Sequence, residues 1–304
     1  MTRRGRRLAL LAAATSLVLA GAVGLNTLRG WLGWSVTTYE PAELAAKLRP
    51  GYTVTRPAGA GPFPTALLFS GCDGPKDNLV RLAATLEEAG WASVVVDGHG
   101  PRGLDTVEQW RLVCAGQLLT GAERAADVAV ALDDVRRLDF VDPDRLALIG
   151  ASHGGWAVLD LLALAHAGEP PPLLRTWPAA VAERGLAAVR AAVLFYPYCG
   201  PLSRAATADW TTRVPLLFLL VANDRIAPAA DCLALADRLR ARGAAAEVVT
   251  FEGVTHGFDQ ADKSPLSTLR YDAEATARAL ARTVAFLREP PAPCAKKHAA
   301  RQLR

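Results

Sequence analysis

A fold of the α/β class, with a mostly parallel sheet covered on both faces, is predicted by three features of the sequence. Short continuous apolar runs recur at residues 65–70, 92–96, 146–149, 191–195, 216–221 and 247–251. Such runs suit strands buried on both faces. Stretches with helical periodicity lie between them, at 78–89, 120–138, 155–167 and 229–241. No stretch of linker composition divides 31–290, so that region is expected to be one domain.

The elements follow in order. Residues 2–7 hold Arg3, Arg4, Arg6 and Arg7, and residues 8–25 are uncharged and mostly apolar. Ala20-Gly21-Ala22 supplies small residues for cleavage. This is the pattern of a secretory signal peptide over 1–22. The same run, extended to 25, is at the lower length limit for a membrane anchor. Both alternatives imply export to the cell envelope, the periplasm or the medium. Membrane contact is expected only through such an anchor.

Residues 41–48 suit a short helix and 51–56 a strand. In the helix 78–89, Leu79, Leu82, Leu86 and Ala89 form one stripe, Asp77 is the expected N-cap, and Gly90 ends it. The helix 120–138 is expected to present a polar face of Glu123, Arg124, Asp127 and Asp134. The nearly apolar helix 155–167 is expected to be buried. After Pro170-Pro171-Pro172, the stretch 169–190 is an insertion that could overhang a site or decorate the surface. A last helix spans 272–287, and 291–304 is a basic tail expected to lack structure.

Charge excludes one function class. The net charge is +4, yet residues 1–22 and 291–304 each contribute four positive charges and no acid. The body between them is therefore net acidic, and nothing points to nucleic-acid binding. Of five cysteines, Cys72, Cys114 and Cys199 fall in or near loops, whereas Cys232 sits in a helix and reads as a small buried side chain. Export permits disulfides, whose connectivity the sequence leaves open. No Cys/His spacing suits a metal site.

Gly150-Ala151-Ser152-His153-Gly154 matches G-x-S-x-G, directly after a predicted strand and before a predicted helix. That is the nucleophile elbow of the α/β-hydrolase fold. Its tight turn admits only very small residues at 150 and 154 and leaves the Ser152 oxygen at a helix N-terminus. A serine needs a base. His256 lies in the loop after the strand 247–251, where open α/β sheets place their ligands. Asp224, after the strand 216–221, is the orienting acid, with Asp231 in reserve. The order Ser152, Asp224, His256 is the one this fold requires. Backbone N–H groups of His153 and Cys72 are the expected oxyanion donors. Arg102 and His99 are candidate substrate contacts, and the alternative for Arg102 is to brace its own loop.

These blocks resemble the dienelactone hydrolase family of the α/β-hydrolase superfamily. The resemblance is carried by Leu67-Leu68-Phe69-Ser70-Gly71-Cys72-Asp73-Gly74, by Val96-Asp97-Gly98-His99-Gly100-Pro101-Arg102-Gly103, by the elbow, and by the Asp224 and His256 loops. It covers roughly residues 62–287. It implies an eight-stranded hydrolase of small esters or lactones, without cofactor or metal. Two positions depart from the family pattern. The founding enzymes use a cysteine nucleophile where this chain has Ser152, which favours general esters over dienelactone. The first block usually begins His-Gly and here reads Ser70-Gly71. The rival readings are a peptidase of the same fold and a non-catalytic exported binding protein on a hydrolase scaffold.

Overall fold

The computed structural model describes residues 2–34, 37–263 and 267–291. It opens with a long helix, α1 (Arg3–Trp31), and a short one, α2 (Pro41–Leu48). Strands β1 (Tyr52–Thr55) and β2 (Phe63–Phe69) follow, then α3 (Asp77–Glu88) and β3 (Ala92–Val96). A single turn α4 (Thr106–Glu108) runs into a π-helical turn, Gln109–Val113, ahead of α5 (Gly121–Val135). The second half contains β4 (Val141–Ala151), α6 (His153–Ala167), α7 (Ala179–Arg184) and β5 (Val189–Phe195). It continues through α8 (Arg204–Thr207), β6 (Leu216–Val221), α9 (Ala229–Ala241), β7 (Ala246–Phe251) and α10 (Ala273–Arg288).

Seven strands pair in the order β1-β3-β2-β4-β5-β6-β7. Only β1 is antiparallel to its neighbour, with Tyr52 opposite Val96. The family resemblance implied eight strands; among the described residues there are seven. The interior strands β3 and β6 are buried along their whole length, as continuous apolar runs require. Two cores result. Leu79, Leu82 and Leu86 of α3 and Ala275, Ala279 and Phe286 of α10 cover one face. Helices α2, α5, α6 and α9 cover the other.

Three expectations are corrected. Asp77 is the first residue of α3, whose N-cap is Lys76. The Asp77 carboxylate instead accepts from Arg81 at 2.7 Å and from the N–H groups of Ala261 and Asp262. The polar residues of α5 do not face water: every residue of that helix is buried. Their charge is paired, Asp134 with the half-exposed Arg49 and Asp127 with the largely buried Arg102, both at 2.7 Å. Cys232 is not merely a small apolar filler, because it forms a disulfide with Cys199.

A second disulfide joins Cys72 to Cys114. Residues 169–190 are held against α5, where Ala180 N–H donates to Asp133 at 2.8 Å. They are also held against the segment before α2, through backbone bonds of Tyr39 with Leu173 and of Arg175 with Tyr39. The tail beyond Pro291, including Cys294, lies outside the described residues.

Candidate active site

The sharp turn between β4 and α6 is the first part of the site. Ser152 sits at φ 51° and ψ −112°, a conformation that costs a non-glycine residue on the order of 1–3 kcal/mol. Its neighbours explain why the turn can form. A Cβ on Gly150 would lie 2.4 Å from the carbonyl carbon of Gly154, and one on Gly154 would lie 2.3 Å from the Phe69 oxygen. The chain crosses itself at the elbow with room for hydrogen only. A bond from Ser152 N–H to the Phe195 carbonyl, 2.8 Å, pins the turn to the end of β5.

Two loops at the carboxyl ends of the next strands reach the same point. His256 Nε2 lies 2.8 Å from Ser152 Oγ. His256 Nδ1 lies 2.6 Å from Asp224 Oδ2. The other oxygen of Asp224 accepts from the N–H groups of Ile226 and Ala227, at 2.8 and 2.9 Å. That carboxylate is therefore held by its own loop while one oxygen faces the imidazole. Asp224 and His256 are both buried, so the carboxylate–imidazole contact is shielded from competing water. Asp231 lies in the first turn of α9 and takes no part.

The loop after β2 closes the third side. A Cβ on Gly71 would lie 3.8 Å from Ser152 Cβ, so the loop that carries Cys72 passes beside the serine. The His153 N–H belongs to the first turn of α6, where helix geometry leaves it without an intrahelical acceptor. Beneath both lies Arg124, a member of the polar face expected for α5. It is buried, and Nη1 donates to the Ser70 carbonyl at 3.1 Å and lies 3.1 Å from His153 Nδ1. Burial lowers the Arg124 guanidinium to about 10. Burial, followed by the adjacent guanidinium, holds the His153 ring well below the ordinary histidine value. His153 is thus a neutral acceptor at Nδ1, with its proton on Nε2. The available signal was compositional: Arg124 stands among Ala122, Ala125, Ala126 and Val128 in a helix with few exposed positions.

Tyr196 is a second residue that the sequence did not single out. It has φ 36°, follows β5 directly, and its ring centroid lies 4.6 Å from that of His256. Its hydroxyl donates to the buried Asp259 carboxylate. Burial pushes both groups upward, Tyr196 well above the ordinary phenol value. Gln260 Nε2 donates to Asp73 at 2.9 Å, which ties the His256 loop to the Cys72 loop.

Arg102 and His99 do not fit the role of substrate contacts in this arrangement. Arg102 donates twice to Asp127, at 2.7 and 2.9 Å, and once to the Gly98 carbonyl. It is a brace, with Asp127 as partner. His99 has no exposed surface, and burial lowers its basicity. It stands behind the loop it belongs to. Among the described residues no cluster of His, Cys, Asp and Glu suits a metal ion.

Comparison with known proteins adds three findings. The model of the dienelactone hydrolase family matches residues 177–290, the part that contains Asp224 and His256. The resemblance to that family is borne out over this segment; the elbow lies outside it, ahead of α6. No curated protein matches the chain. Many solved structures do. A putative dienelactone hydrolase from Klebsiella pneumoniae subsp. pneumoniae MGH 78578 is 20% identical with a TM-score of 0.58, over 78% of this chain and 92% of that one. The apo form of Thermogutta terrifontis esterase 2 is 18% identical with a TM-score of 0.58, over 81% and 91%. The same esterase phosphonylated by cyclosarin is 19% identical with a TM-score of 0.59, over 78% and 88%. At these identities the likeness shows the fold, which is that of the α/β-hydrolases.

Proposed function

We propose that the protein is an exported serine hydrolase that cleaves small carboxylic esters or lactones through an acyl-enzyme. The broader class, carboxylic ester hydrolase, rests on the family match over residues 177–290 and on the fold shared with esterases. The observation that carries the finer reading is one line of contacts: Ser152 Oγ to His256 Nε2 at 2.8 Å, and His256 Nδ1 to Asp224 at 2.6 Å.

In the proposed cycle His256 accepts the Ser152 proton as Oγ attacks the ester carbonyl. Asp224 keeps the imidazole proton on Nδ1, so that Nε2 is free to act as base, and stabilises the imidazolium that forms. The N–H groups of His153 and Cys72 receive the oxyanion, helped by the N-terminus of α6. His256 then gives its proton to the leaving alkoxide. Water, deprotonated by the same nitrogen, attacks the acyl-serine carbonyl, and the carboxylate leaves as Ser152 regains its proton. Export is supported by the two disulfides, which suit an oxidising compartment, and by the apolar N-terminal helix, which suits an export signal or an anchor.

Ser152→Ala tests the reading. Its hydrolysis of p-nitrophenyl acetate should fall by about 10⁴-fold or more. Its unfolding transition should stay in place, because the smaller side chain still fits the elbow. Wild-type rates in a folded S152A sample would refute the proposal.

A further inference from the structure

The long N-terminal helix does more than precede the body. Its apolar 18-residue window has a mean hydropathy of 2.2 and is not buried by any part of the chain. Residues 8–25 rise by about 27 Å at 1.5 Å per residue, close to the ~30 Å hydrocarbon core of a bilayer. The next residue, Asn26, is already in contact with the body. Its Nδ2 donates to the Gln117 carbonyl at 2.6 Å and lies 3.1 Å from Gln117 Oε1. Gln117 Nε2 donates to Thr27 Oγ1 at 2.9 Å, and Arg29 lies 3.7 Å from Glu123. No linker separates the apolar helix from the domain.

The gripped residue leads to an exposed apolar segment. The Leu112 carbonyl accepts from the N–H groups of Gln117 and Leu118, at 2.8 and 3.2 Å. Val107 and Trp110 are each 57% exposed, and Leu112 is 40% exposed. Arg111 stands between the last two and faces solvent, and Trp34, just past α1, is 66% exposed. Exposed tryptophan beside arginine and aliphatic side chains suits the boundary between headgroups and acyl chains. Glu108 stands between Val107 and Trp110 in sequence, and its carboxylate turns back to accept from the Asp105 N–H at 3.1 Å, in a capping box with Asp105. The segment is also tied to the loop after β2. Cys114 is bonded to Cys72, and a Cβ on Gly74 would lie 2.9 Å from Gln109 Oε1.

We propose that the end of α1 and the segment 106–113 form one membrane-seating surface, and that the partner of this surface is a phospholipid bilayer. With α1 spanning, Arg3, Arg4, Arg6 and Arg7 stay on the cytoplasmic side. The body is then seated on the outer headgroups without a spacer, with Trp110, Val107 and Leu112 in the interface. The Cys72–Cys114 bond then holds the loop carrying the Cys72 N–H close to the lipid surface, so the ester enters from the membrane. This deepens the esterase reading only in its substrate class; the seating itself does not depend on catalysis.

The test uses the full chain in phosphatidylcholine vesicles, with and without mid-chain bromination. Brominated lipid should quench tryptophan emission, and Trp110→Phe should remove a measurable part of that quenching. A triple V107S/W110S/L112S variant should hydrolyse soluble p-nitrophenyl acetate within about two-fold of wild type, yet lose roughly five-fold or more on a bilayer-embedded long-chain ester. Unchanged quenching in W110F overturns the proposal. So does a mature chain that begins at residue 23 and is recovered free of membrane. Absence of all esterase activity with Trp110 still quenched would refute the hydrolase reading and leave the seating intact.

Discussion

At Ser152 the backbone holds φ 51° because the glycines around it let β2 and α6 pass within contact distance. That single requirement made the nucleophile candidate legible from sequence. Asp224 and His256 were legible for a different reason: each follows a run that reads as a parallel strand, fully buried for β6 and half-exposed at the sheet edge for β7. Asp224→Asn gives a sharp prediction. The amide oxygen can keep the bonds to Ile226 and Ala227, so the loop should hold. The amide nitrogen would then face His256 Nδ1 and favour the wrong tautomer. Turnover should fall by roughly 10³–10⁴-fold with little change in KM. A second prediction concerns Arg124, a positioning residue that touches no reacting atom. Arg124→Met should leave Ser70 and His153 without their buried donor and lower kcat by about 10-fold or more at similar KM, with Arg124→Lys recovering part of it. Equal loss in both variants with a collapsed unfolding transition would make Arg124 structural only. Arg124 and Tyr196 escaped the sequence reading because their roles come from what lies across the fold, which periodicity does not encode.

The elements were read well where one rule governs them. The interior strands β2, β3, β5 and β6 were expected close to their observed positions, since burial on both faces writes a continuous apolar run; β1 and β7 are half-exposed edge strands, and β4 starts at Val141, ahead of the expected 146–149. The turn α4 and the π-helical turn after it were not anticipated. Their polar and exposed apolar residues follow neither period, and a disulfide holds them in place. The polar residues of α5 misled for a related reason: paired charges inside a protein look like a solvated face in one dimension. The two disulfides are predicted to act differently. Removing Cys199–Cys232 by double alanine substitution should cost ~2–4 kcal/mol in urea unfolding with kcat/KM nearly unchanged. Removing Cys72–Cys114 should cost a similar amount of stability and lower kcat as well, because that bond fixes the loop carrying the Cys72 N–H. Unaltered turnover in the second variant would show that the loop is positioned without it.

For the whole molecule, the sheet order and the two cores put three distant loops at one end, and the family match and structural neighbours agree with that architecture. One buried group links the fold to pH. Asp160 in α6 is fully buried, accepts from Ser203 at 2.6 Å and Ala205 N–H at 3.0 Å, and burial raises its carboxyl to about 7. The unfolded carboxyl ionises near 3.8. Between those values the folded state binds more protons, so this group's contribution to stability is greatest at low pH and declines as pH rises toward 7. Thermal midpoints of wild type and Asp160→Asn from pH 4 to 8 check this: the wild type should decline relative to the variant up to about pH 7 and run parallel above it. Parallel curves throughout would contradict it.

The central claim is that Ser152 is an activated nucleophile within this fold. Intact-mass spectrometry after treatment with a fluorophosphonate tests it most directly, since the probe reports reactivity without any assumption about substrate. One phosphonyl adduct on the native chain, mapped to Ser152 and missing from Ser152→Ala, is the predicted result. A folded, monodisperse native chain that takes no adduct, or takes it at another residue, would contradict the account.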